Sequence, residues 1–220
     1  MLMFDIGANR GDATFAALEK GYKVIACEPA FRVFGELVKN FIYNPNVIPL
    51  KVAVSDTDDS TVEFYEADED GLSTLNKDWL TKDNMPYKDK PFRLMYANTI
   101  TVDSLAVIYG HPDLIKIDVE GAEWNVFNGM SYKYGTVTFE WTDVTLEEHE
   151  KQIQYLKELG YTEVGPQFIT HHLQEPTEWF PIDNFSLTQW VKDHEEWWVN
   201  EGWKESNLRP TADVGMCWVR

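Results

Sequence analysis

The stretch Asp5-Ile6-Gly7-Ala8-Asn9-Arg10-Gly11-Asp12 decides how this chain is read. It follows a short apolar run, residues 2–6, and leads into residues 12–20, whose pattern predicts a helix closed by Gly21. At such a strand-to-helix turn, glycines take backbone conformations that a Cβ blocks and let a ligand come close. The amides that open the helix suit an anionic group or a carboxylate. A Gly-x-x-x-Gly spacing says little alone; its place between strand and helix gives it weight.

Working outward, residues 22–27 form a second apolar run. Residues 31–41 carry Phe34, Leu37, Val38 and Phe41 at helical spacing, and residues 47–54 read as a third strand. This alternation predicts a parallel sheet with helices on its faces. Farther along, residues 61–65 suggest an extra strand, whereas residues 66–92 are polar and aperiodic, as functional or mobile loops are. A strand over 96–102 precedes Asp103, which is placed to cap a short helix over 104–109. Residues 113–119 read as a buried central strand, 122–127 as a helix and 136–141 as a fifth parallel strand. Thr145-Leu146-Glu147-Glu148 has the form of a capping box opening a helix that ends near Leu159-Gly160. Strands over 161–165 and 214–219 complete the pattern.

The expected fold is thus α/β and Rossmann-like, one domain over residues 1–220, with a substrate-covering insertion at 66–98 and a tryptophan-rich segment at 176–203. That segment holds Trp179, Trp190, Trp197, Trp198 and Trp203, and a helix is predicted through 187–200. Its rings either pack the helix onto the sheet or in part line a substrate cleft.

The formal charge of −18, from 37 acidic and 19 basic residues, would repel nucleic-acid phosphates and anionic membranes. The expected partner is accordingly a small molecule or glycan, with no nucleic acid and no membrane; nothing in the sequence fixes the oligomeric state. Cys27 and Cys217 each end an apolar run, as buried thiols do, and neither belongs to a Cys-x-x-Cys pair. No run approaches the ~20 apolar residues that span a bilayer. Met1-Leu2-Met3-Phe4 leads into a strand without a basic segment, which predicts a cytoplasmic protein.

Glu28 falls at the end of the second strand, where Rossmann-type folds place the acid that accepts from ribose hydroxyls; the plainer alternative is a solvated strand-end charge. A dinucleotide site wants Gly-x-Gly-x-x-Gly, but here Asn9 and Asp12 stand at the second and third glycine positions. A carboxylate would repel a pyrophosphate. An acid-flanked loop suits the ammonium and sulfonium of S-adenosylmethionine, which disfavours a NAD-dependent oxidoreductase.

Four blocks of sequence, in order, are similar to the FkbM family of methyltransferases: residues 5–12, Glu28-Pro29, Ala53-Val54-Ser55-Asp56, and Ile115-Lys116-Ile117-Asp118-Val119-Glu120-Gly121-Ala122-Glu123. The resemblance covers roughly residues 2–141. It implies a class I methyltransferase sheet of seven strands, mostly parallel with the last antiparallel, and S-adenosyl-L-methionine at the C-terminal strand ends. It implies O-methylation of a sugar, polysaccharide or small metabolite. Carried over residue by residue, Gly7, Ala8, Asn9 and Gly11 would contact the methionine part, with Asp5 nearby. Glu28, with Pro29, would hold the ribose. Ala53, Val54, Ser55 or Asp56 would flank the adenine, and Asp118 would face the methionyl amine or the acceptor.

An alcohol acceptor needs its proton removed, and a positioned base contributes ~10²–10⁴-fold. Asp118 and Glu140 lie at ends of central strands, and His171-His172 offer imidazoles in a later loop. Glu120 and Glu123 read as carboxylates favourably placed at a helix start. Beside Asp118 there is no clear third metal ligand, so no metal is predicted. A catalytically silent binding module stays open, because fold alone does not guarantee activity. The Asn/Asp-Pro-Pro-Tyr/Phe tetrapeptide of many amine methyltransferases is replaced here by Asp118-Val119-Glu120-Gly121.

Overall fold

The first apolar run is a strand covered on both faces: Met3, Phe4 and Ile6 are at most 1 % exposed. It opens the computed structural model, which describes residues 1–83, 85, 87–168, 173–197 and 214–220. The chain divides into two units, residues 1–135 and 136–220.

In the first unit, β1 (Leu2–Ile6), α1 (Asp12–Glu19), β2 (Lys23–Cys27), α2 (Phe31–Phe41) and β3 (Val47–Leu50) alternate as expected. They are followed by β4 (Ala53–Val54), β5 (Thr61–Ala67), α3 (Lys77–Thr81), β6 (Phe92–Ile100), α4 (Val102–Tyr109), β7 (Leu114–Ile117) and α5 (Glu123–Asn128). The main sheet runs β3-β2-β1-β7, all parallel, with Asp5 opposite Ala26 on one side and Lys116 on the other. Helices α1 and α2 cross between its strands. Buried Ala13, Ala17, Val33, Leu37 and Phe41 supply their inward faces.

The expected strand over 47–54 is two strands in two sheets. β3 follows β2 as far as Leu50 opposite Cys27, and β4 then pairs in parallel with Thr99–Ile100 of β6. Pro49, which has no N–H to donate, marks β3 as an edge. β6 also pairs antiparallel with β5, giving a second sheet, β4-β6-β5. Ala30, Val33, Ala53, Phe64 and Ala97 form a core cluster at the base of α2. Residues 66–92 are not featureless: they contain α3, Thr74 bridges back to Tyr65 of β5, and Trp79 and Leu80 are buried. The cap of α4 is Thr101, whose side chain accepts from the Ser104 amide. Asp103 instead accepts from the Ser131 amide at 3.1 Å and the Tyr134 hydroxyl at 2.7 Å.

The second unit comprises β8 (Thr136–Thr142), α6 (Leu146–Glu158), β9 (Glu163–Phe168), β10 (Phe180–Pro181), α7 (Leu187–Trp197) and β11 (Val214–Val219), with single 3-10 turns at Asp143–Thr145 and Ile182–Asn184. Its strands run β10-β9-β11-β8, and β11 is antiparallel to both neighbours, as expected of the last strand. Short β10 is the addition to the seven strands implied by the resemblance. The capping box at Thr145 does not form: the Thr145 hydroxyl lies 2.9 Å from His149 Nε2 and makes no cap bond. Trp190 packs α7 against Trp141 and Phe168, at ring separations of 6.2 and 4.9 Å. Trp198 and Trp203 lie outside the described residues. Among the described residues no helix is long and apolar enough to cross a membrane. Cys27 and Cys217 are free and buried, and burial pushes both thiols up, which leaves them inert.

Candidate functional site

The turn after β1 is wound by three residues with positive φ: Gly7 at 74°, Asn9 at 49° and Gly11 at 96°. The glycines clear protein atoms. A Cβ on Gly7 would sit 1.8 Å from the Asp118 carbonyl oxygen, and one on Gly11 would meet the Phe41 ring at 2.2 Å. Close packing of the β1 and β7 turns, and of the α1 start on α2, therefore explains them before any ligand does. The Gly7 and Ala8 amides both donate to the Cys27 carbonyl, which ties the turn to the end of β2.

Glu28 follows directly and is 7 % exposed. Its carboxylate accepts from the Asn9 amide at 2.9 Å and the Ala30 amide at 2.8 Å. Burial pushes this carboxyl up to about 7, against the pull of those amides. Glu28 thus locks the β1 turn to the start of α2, and each oxygen keeps a further lone pair for a donor. Asn9 Oδ1 is buried and has no hydrogen-bond partner among the described residues.

At the adjoining strand end, β7 carries Lys116 in a wholly buried run. Its ammonium donates to the Gly7 carbonyl at 2.8 Å and pairs with Asp118 at 3.3 Å and Asp5 at 3.5 Å. Asp5 is fully buried and also accepts from the Thr14 hydroxyl at 2.6 Å. Reading the sequence for site residues missed Lys116. The available signal was a cation inside a strand buried on both faces, which demands partners.

Beyond Asp118 the chain turns through two positive-φ residues, Glu120 at 57° and Gly121 at 78°. Glu123 is 3 % exposed, and its carboxylate accepts from the Val119 and Gly121 amides, both at 3.3 Å, while burial raises it to about 7. From the other side, Trp79 donates its indole N–H to Glu120 at 3.0 Å and Asn76 donates to the Gly121 carbonyl at 2.9 Å. Loss of solvent, reinforced by the Asp118 charge, holds the Glu120 carboxyl well above its ordinary range. Trp79 and Asn76 come from the stretch that looks aperiodic in sequence. Its upstream part is pinned too, since Arg10 and Arg32 both engage the Asp70 carboxylate and Arg10 also pairs with Glu36 at 2.8 Å.

Ala8, Ala53 and Ser55 are nearly enclosed by protein, and Ser55 donates to the exposed Asp56 at 3.2 Å. Pro29 separates Glu28 from the cap of α2. Glu140 belongs to the second unit, on β8 opposite Met216. His171 and His172 lie outside the described residues.

The residues present can be tested against S-adenosylmethionine by donor and acceptor count. The turn offers the orphaned Asn9 Oδ1, the Glu28 carboxylate and a partly open Asp118, 26 % exposed, all of which accept. An ammonium and ribose hydroxyls donate; a diphosphate only accepts. The set fits the former.

Comparison with known proteins bears on the same residues. The sequence model of the methyltransferase FkbM domain matches residues 5–163. No curated protein matches the chain. Among solved structures, precorrin-6y C5,15-methyltransferase from Geobacter metallireducens is 12 % identical, with a TM-score of 0.44, over 100 % of this chain and 78 % of that one. Precorrin 8W decarboxylase from Methanobacterium thermoautotrophicum is 11 % identical, with a TM-score of 0.47, over 100 % of this chain and 81 % of that one. Likenesses this remote carry no argument about activity. The family match, which spans well over half of the sequence and includes both strand-end turns, does: the chain belongs to the FkbM family of S-adenosylmethionine-dependent methyltransferases.

Proposed function

We propose that this enzyme methylates a hydroxyl of a sugar, polysaccharide or small metabolite, with the cofactor held on the turns that end β1, β2 and β7. The observation that supports this reading best is the surplus of acceptors at those turns: Asn9 Oδ1 without a partner among the described residues, Glu28 held in place with lone pairs to spare, and Asp118 partly open. When bound, S-adenosylmethionine supplies a methyl carbon already activated by its sulfonium. The protein's share is then mainly orientation, which can be worth ~7–11 kcal/mol.

In this reading Glu28, next to Pro29, accepts from the ribose hydroxyls. Asp5, Gly7, Ala8, Asn9 and Gly11 shape the methionine end, and Asp118 accepts from the methionyl ammonium. Ala53, Ser55 and Asp56 flank the adenine. Assigning Asp118 to the ammonium leaves Glu140 as the first candidate to take the acceptor's proton, with Asp118 itself and His172 as the others. The acidic balance of the chain, −18 overall, favours a neutral acceptor over a phosphorylated one.

The test is methyl transfer from labelled S-adenosylmethionine to a panel of sugars, polysaccharides and small hydroxylated metabolites, analysed for methyl ethers. Label in at least one ether is expected. Label only in amines, or none across the panel despite cofactor binding, contradicts the proposal.

A further inference from the structure

Lys116 is 5 % exposed; its ammonium donates to the Gly7 carbonyl and forms ion pairs with Asp5 Oδ1 and Asp118 Oδ2. The parallel register of β1 and β7 sets Asp5 and Lys116 side by side. Neutralising a fully buried Asp5 would need only that one pairing. The other two contacts lie at the ends of two strands. One fixes the Gly7 peptide, from which the β1 turn departs. The other holds Asp118 through its Oδ2. The main chains of the same two turns also touch, the Asp118 amide donating to the Ile6 carbonyl at 3.1 Å and Gly7 packing on the Asp118 carbonyl.

We propose that Lys116 is a positioning residue for the cofactor's amino-acid end: from beneath the sheet ends it sets the Gly7 peptide and aims Asp118, without touching the cofactor itself. The inference rests on the function proposed above, in which Asp118 receives the methionyl ammonium. It differs from a structural role in a measurable way. A buried ion pair that serves stability alone can be replaced by neutral groups at little cost, because desolvation offsets its Coulomb energy. A positioning cation cannot.

The experiment compares calorimetric binding of S-adenosylhomocysteine and of 5′-methylthioadenosine, which lacks the amino-acid part. The proteins are wild type, Asp5→Asn, and the double variant Asp5→Asn/Lys116→Met, which removes both buried charges together. Relative to Asp5→Asn, the double variant is expected to bind S-adenosylhomocysteine about tenfold more weakly, the scale of one hydrogen bond to a charged group. Its affinity for 5′-methylthioadenosine should stay within about twofold. Equal weakening of both ligands, or no weakening of either, overturns the positioning role. If the double variant does not fold, Asp118→Asn reports on the same contact while leaving the Asp5–Lys116 pair intact. Unchanged S-adenosylhomocysteine affinity in that variant overturns the proposal as well. Failure of the wild type to bind either nucleoside would instead strike at the proposed function.

Discussion

Lys116 and His149 are both buried basic side chains, one in each unit, and their surroundings differ in kind. Lys116 gathers two carboxylates and a carbonyl from the ends of β1 and β7. His149, 3 % exposed, gives up its charge: burial draws its imidazole down to about 4. The Thr142 amide donates to its Nε2 at 3.2 Å, so Nδ1 bears the proton and donates to Gln152 Oε1 at 2.8 Å. The histidine cluster is neutral and closes on the β8–α6 connection. The lysine cluster is ionic and bears on two turns where acceptors are left over. Buried charge is costly, and its retention at strand ends, where open α/β sheets bind ligands, points to use there.

The largest effect should separate two glycines. Gly7→Ala drives a Cβ into the Asp118 carbonyl at a φ of +74°, whereas Gly160→Ala, at +98°, meets no atom within 4 Å. The first is expected to cost more than ~5 kcal/mol and the second ~1–2 kcal/mol in denaturant unfolding. Similar costs would break the contrast between the crowded β1 turn and the open helix end in the second unit.

Next in size, Lys116→Met strands a buried Asp5 and should cost ~3–5 kcal/mol, most of it regained in the Asp5→Asn double variant. His149→Leu removes an acceptor from the Thr142 amide and should cost ~1–3 kcal/mol. A lysine variant no less stable than the histidine variant would remove the distinction between an ionic and a neutral cluster.

Titration sharpens it further. The His149 value of about 4 lies below its ordinary 6.5, so the unfolded chain binds more protons between them. Its stabilising share is present above pH 6.5 and is lost as pH falls toward 4. Glu28 runs the other way: its folded value of about 7 exceeds 4.5, so the native state binds more protons and stability declines as pH rises from 4.5 through 7. Melting temperatures across pH 4–8 should show His149→Leu flattening the acid side and Glu28→Gln flattening the decline toward neutrality. Unchanged slopes contradict those placements.

The smallest effect concerns Asp70. Its two arginine partners are 48 % and 44 % exposed, so Asp70→Asn should cost at most ~1 kcal/mol and less at high salt. A larger loss would mean that residues 68–71 hold the β1 turn more firmly than screened ion pairs can.

Much of this was legible in the sequence because β1 and β7 are apolar runs buried on both faces, and runs of that kind announce themselves. Glu28 and Asp118 follow from counting to strand ends. Trp79 does not: it lies in a polar stretch, and its partner Glu120 is 41 positions away. The capping box at Thr145 failed because His149, one helical turn on, offers its hydroxyl another partner. Thr101 and Asp103 are both good caps; Asp103 is drawn off by Ser131 and Tyr134, which no local pattern reveals. In sequence the glycines suggest clearance for a ligand, yet at Gly7 and Gly11 the nearest obstacles are the protein's own carbonyl and ring.

A crystal structure with S-adenosylhomocysteine bound tests the placement of the cofactor most directly. The ribose hydroxyls should lie within hydrogen-bond reach of Glu28 and the amino group beside Asp118. A nucleoside seated elsewhere, with both carboxylates untouched, would contradict it.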